Sequence, residues 1–85
     1  MPEIDVIAQW NHDGEIIPKR VQVHTEDGAQ PYTIQSCVPV SHSGETVHGK
    51  FITAQTLVWE CSIIVRNERK VIYLFFDGRG WSMTT

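Results

Sequence analysis

The chain has 85 residues, a hydrophobic share of 41% and a net charge of −3. That length makes one domain, burying only about 60–65% of the surface its unfolded chain exposes, so a core fits but a core plus a deep catalytic cleft does not. The acidic balance excludes a general attraction for phosphate backbones, and no apolar run of about 18 residues is present to cross a membrane as a helix.

Residues 4–10 alternate, with Ile4, Val6, Ala8 and Trp10 on one face and Asp5, Ile7 and Gln9 on the other, which predicts a first strand. Asn11-His12-Asp13-Gly14 is a turn, with Asp-Gly as its signal. Residues 16–25 form a second strand, placing Lys19 with Val21 and Val23 and leaving Arg20, Gln22 and His24 opposite. Pro18 cannot donate to a ladder, so it belongs at the strand's start or on an edge. After the turn Glu26-Asp27-Gly28, a third strand is expected over residues 32–40, with Tyr32, Ile34, Ser36 and Val38 on one face and Thr33, Gln35 and Cys37 on the other. The period then stops. Residues 41–55 are polar, carry two glycines, and read as a long loop that Phe51 and Ile52 would pin to the sheet.

The clearest pattern closes the chain. Residues 57–65 predict a strand with Leu57, Trp59, Cys61, Ile63 and Val65 inward and Val58, Glu60, Ser62 and Ile64 outward. A four-residue turn, Asn67-Glu68-Arg69-Lys70, leads to residues 71–76, where Val71, Tyr73 and Phe75 and the opposite set Ile72, Leu74 and Phe76 are both apolar. Asp77-Gly78-Arg79-Gly80 turns the chain into a short last strand holding Trp81 and Met83. The prediction is an all-β domain over residues 1–85: a small antiparallel barrel of five to six strands, SH3-like in size and rhythm, with one long loop.

Two segments, Asp13-Gly14-Glu15-Ile16-Ile17-Pro18-Lys19-Arg20-Val21 and Tyr73-Leu74-Phe75-Phe76-Asp77-Gly78-Arg79-Gly80-Trp81, carry a resemblance. They are similar to the two ends of a set of small uncharacterised proteins from Gram-positive, clostridia-like bacteria. Those proteins have an Asp-Gly-x-Ile-Ile-Pro-x-Arg start and a Tyr-Leu-Phe-Phe run followed by an Arg-Trp pair. The Glu-Asp-Gly turn at 26–28 and the Tyr-x-Ile strand at 32–34 fit the same order. Gly80 between Arg79 and Trp81 departs from the pattern, and so does the composition of residues 41–55. The resemblance implies a small bacterial β-barrel and brings no activity with it.

Chemistry is sparse. Cys37, His42 and His48 have the spacing C-x4-H-x5-H, with Cys61, His24 or Glu45 as a fourth ligand, but structural zinc sites use tighter pairs, so no metal and no cofactor are expected. Cys37 and Cys61 sit in apolar runs and read as two buried free thiols, although their number permits a disulfide. Ser41, His42, Ser43, Glu45 and His48 crowd one loop without a nucleophile elbow or a rigid scaffold, so no catalytic residue is assigned. The start of the chain lacks a basic region followed by a long apolar stretch, so a cytoplasmic location is expected.

The reading is therefore a non-enzymatic protein-interaction module. An apolar outer face made of Ile64, Ile72, Leu74 and Phe76 would bind a protein partner or pair two copies, unless residues 41–55 cover that face as a second core layer. The same loop is a second candidate surface. The alternative is a nucleic-acid-binding accessory protein using a basic rim of Arg66, Arg69, Lys70 and Arg79, although Arg79 falls at the opposite end of its strand from the other three.

Overall fold

A computed structural model describes residues 3–40, 46–47, 50–51 and 56–84. All regular structure among them is strand: β1 (Glu3–Trp10), β2 (Ile16–Thr25), β3 (Gly28–Pro39), β4 (Thr46–Val47), β5 (Lys50–Phe51), β6 (Leu57–Val65), β7 (Glu68–Phe76) and β8 (Trp81–Thr84). Six form one antiparallel sheet in the order β1-β2-β3-β6-β7-β8, and β4 pairs with β5 alone. The sheet curls until β1 lies beside β8, so the barrel is nearly closed, with no ladder between these two strands among the described residues. Near-closure hides most of the edge that a short sheet would otherwise present.

β3 produces the curl. Its first half, Gly28 to Thr33, pairs with β2, and its second half, Ile34 to Pro39, pairs with β6. Where the partner changes, Ile34 faces Ile63 but Ser36 faces Ser62, so Gln35 is an extra residue, a bulge that bends the strand. This corrects the expected faces. Cys37 packs with Ile34 against the core, while Ser36 and Val38 are exposed. A second bulge lies in β2. Ile7 pairs with Arg20 and Ala8 with Pro18, leaving Lys19 without an opposite residue. Lys19 and Arg20 are both exposed, and Pro18, near the start of β2 and outside the β2–β3 ladder that covers Arg20–Thr25, is fully buried. The missing N–H of proline is tolerated there because a bulge already interrupts the ladder.

The β6–β7 turn is tighter than expected. Val65 pairs with Glu68, and Arg66 and Asn67 alone make the turn at φ 51° and 65°. Two successive positive φ values define the type I′ hairpin, whose twist matches that of the strands. Glu68, Arg69 and Lys70 are therefore strand residues. The β7–β8 turn depends on a side chain. The Asp77 carboxylate accepts the N–H groups of Arg79 (2.8 Å) and Gly80 (3.0 Å), and Gly78 supplies φ 92°.

The interior holds Val21, Ile34, Trp59, Cys61, Ile63, Ile72 and Leu74. On the outside of the sheet Val58 and Phe75, a directly opposed pair, form a second buried cluster with Val40 and Tyr73 packed against it. The doubly apolar character of residues 71–76 is thus used on both faces.

Candidate functional site

The predicted apolar patch is on the wrong face of β7. Pairing places Ile72 opposite Cys61 and Leu74 opposite Trp59, both of which point inward. Ile72 is 2% exposed and Leu74 is 0% exposed, so neither can meet a partner. Phe76 shares their face and is half-buried, packed against the core. Of the four residues, only Ile64 lies on the outer face, 44% exposed and diagonal to Val71 at 45%. Either set of β7 could have been the outer one by composition. Its register with β6 decides.

The basic residues do not converge. Arg69 lies opposite Ile64 on the outer face, and Lys70 lies opposite Ile63 on the inner one. Lys70 sits at the rim of an apolar cavity of about 280 Å³ formed by Val23, Tyr32, Ile63 and Met83, and it pairs with Glu68 at 3.2 Å. Arg66 occupies the turn, and Arg79 lies at the other end of β7, as expected. His42, His48, Ser41, Ser43 and Glu45 lie outside the described residues. Among the described residues no group of three or more ligating side chains could hold a metal ion, and no helix is long and apolar enough to cross a membrane.

The structure assembles something the linear pattern did not suggest. In an antiparallel meander the end of β1, the start of β6, the end of β7 and the start of β8 all fall at one end of the barrel. Trp10, Leu57, Phe76 and Trp81 occupy these positions. Trp59 forms the floor, 4% exposed, with the ring of Trp81 tilted over it at 5.4 Å and 32°. Phe76 lies on Trp81 at 4.7 Å and 30°. Trp10 meets Phe76 edge-on at 5.9 Å and 84°. The edge-to-face contact is an arrangement favoured by the ring quadrupole, and all three centroid separations fall in the range typical of aromatic pairs. The rings thus run from the core to solvent, where Trp10 is 63% exposed and Leu57, opposite Phe76, is 45% exposed.

Charge frames this surface. Asp13 and Glu15 come from the β1–β2 turn, which is closed by Asn11 N–H donating to Glu15 O (2.9 Å). Asp77 and Arg79 come from the β7–β8 turn. The Arg79 and Gly80 amides that cap Asp77 hold its carboxyl below the ordinary value of 3.8, so it stays charged. A signal was available: Trp10, Phe76 and Trp81 are each strand-terminal, at turns on the same side of the meander. Comparison with family models, with curated proteins and with solved structures yields no match.

Proposed function

We propose that this protein is a non-enzymatic interaction module of the bacterial cytoplasm, SH3-like in size and strand rhythm, that docks a protein through its aromatic end. A second copy of the chain is the simplest partner. The observation that carries this reading is Trp10, which is 63% exposed yet held edge-on against Phe76. Tryptophan is enriched at the energetic centres of interfaces. A ring already fixed in place loses little freedom on docking. A two-fold contact needs only one self-complementary patch, and Leu57, Phe76 and Trp81 extend the patch around Trp10. The nucleic-acid alternative is less favoured, because Lys70 is engaged by Glu68 and Arg79 is remote from Arg66 and Arg69.

Static light scattering and tryptophan emission, followed together from micromolar to millimolar concentration, test the proposal. The expected result is a doubling of mass with a blue shift as Trp10 leaves water, both abolished by Trp10→Ser. A constant monomer mass with unshifted emission overturns it.

A further inference from the structure

The two cysteines face each other across the ladder that joins the halves of the barrel. Cys37 on β3 is paired in register with Cys61 on β6. The Val40 N–H donates to Val58 O at 2.9 Å, which makes 40/58 a hydrogen-bonded pair. Alternation along the ladder then makes 38/60 hydrogen-bonded and 39/59 and 37/61 non-hydrogen-bonded, in keeping with the missing N–H of Pro39. Cα atoms of a non-hydrogen-bonded pair lie about 4.5 Å apart with side chains close. That is inside the window of roughly 4.4–6.8 Å that a disulfide spans, at its short end. Both side chains point into the core. Cys37 also directs its S–H at the Pro18 carbonyl, 3.8 Å away. It is only half-buried, whereas Cys61 is fully buried.

We propose that Cys37 and Cys61 form an oxidisable dithiol, a modification site that closes reversibly to an intramolecular disulfide by exchange with a low-molecular-weight disulfide. The half-buried Cys37 thiolate attacks one sulfur of the reagent RSSR, forming a mixed disulfide and expelling RS⁻. The Cys61 thiolate then attacks the Cys37 sulfur, breaking the mixed bond and expelling the second RS⁻. The two thiol protons leave on the two RSH products, so two protein thiols are oxidised as one RSSR is reduced.

The environment supports this order. Burial raises the Cys37 thiol above its usual range, and the Lys19 ammonium offsets part of that rise. Cys61 is pushed up to about 12, first by burial, then by the charge and hydrogen bond of Cys37, and last by Glu60. Converting Cys37 to a mixed disulfide removes the two contributions it makes, which eases the second step. Exchange runs in both directions, so an excess of small thiol reopens the closed form. Closure encircles residues 38–60 and clamps the one ladder that, among the described residues, joins β1-β2-β3 to β6-β7-β8.

The test incubates the folded, reduced full chain with oxidised glutathione, its fold monitored by circular dichroism in the same buffer. The expected product is a monomer lighter by about 2 Da, with no thiol titratable after denaturation. Trypsin then yields peptides 21–50 and 51–66 joined through Cys37 and Cys61, and dithiothreitol restores the starting mass. Cys61→Ala should stop at a glutathionyl adduct on Cys37, and Cys37→Ser should not react. An unchanged mass, a stable adduct on the wild-type chain, or a disulfide-linked dimer overturns the proposal.

Discussion

Raising the pH above 9 should destabilise this protein through a single thiol. Cys61 has an ordinary value of 9.0 in the unfolded chain and is held at about 12 in the folded one, chiefly because burial disfavours the thiolate. The native state then binds a proton that the unfolded state has released. Stability contributed by this group is complete below pH 9 and is lost as pH rises toward 12. The slope is about −1.4 kcal/mol per pH unit across that window, and about 4 kcal/mol over its whole width. A domain of this size has total stability of about 5–15 kcal/mol, so the loss is a substantial fraction of it. Urea unfolding at half-unit steps from pH 8 to pH 11, with a phosphine reductant present, measures the slope. Tyrosine and lysine titrations contribute as well, so the quantity that counts is the difference from Cys61→Ala. That variant carries a small cavity offset at every pH but no titrating group at the site. The two stability curves should converge as pH rises. Parallel curves would refute the reasoning, because they would mean that the buried thiol does not couple its proton to folding.

The inward facing of Ile72 can be read against its neighbour. Ile72→Asp should abolish the cooperative unfolding transition, while Val71→Asp, on the outer face, should shift stability by less than about 1 kcal/mol in urea titration. The type I′ turn makes a residue-specific forecast. Asn67→Ala should lower stability by about 1 kcal/mol, and Asn67→Gly should be nearly neutral, because only glycine and asparagine adopt φ near 65° without strain.

The strands were legible because period-two alternation is a direct imprint of burial on one face. β2 and β6 have the expected bounds, Ile16–Thr25 and Leu57–Val65, and Trp59, Cys61 and Ile63 point inward as read. What alternation cannot reveal is where it slips. Gln35 and Lys19 are ordinary strand residues, and nothing in their chemistry marks them as unpaired, so the faces beyond Ile34 and around Pro18 were read one step out. For β7 the difficulty was different. Val71-Ile72-Tyr73-Leu74-Phe75-Phe76 is apolar at every position, so only the register with β6 separates core from surface. The aromatic end was hidden for a third reason. Trp10, Phe76 and Trp81 are distant in sequence or divided by a turn, and only the alternation of chain direction brings their strand ends together.

The two bulges also bear on how this chain tolerates changes in length. Removing Gln35 would leave Ile34 inward, Ser36 outward and Cys37 inward, the facing each already has, and removing Lys19 would leave Pro18, Arg20 and Val21 likewise undisturbed. Each extra residue is therefore neutral in parity, adding curvature without reassigning any neighbour to the opposite side. Deleting either residue would reduce the bend of its strand without reversing which side chains face the core.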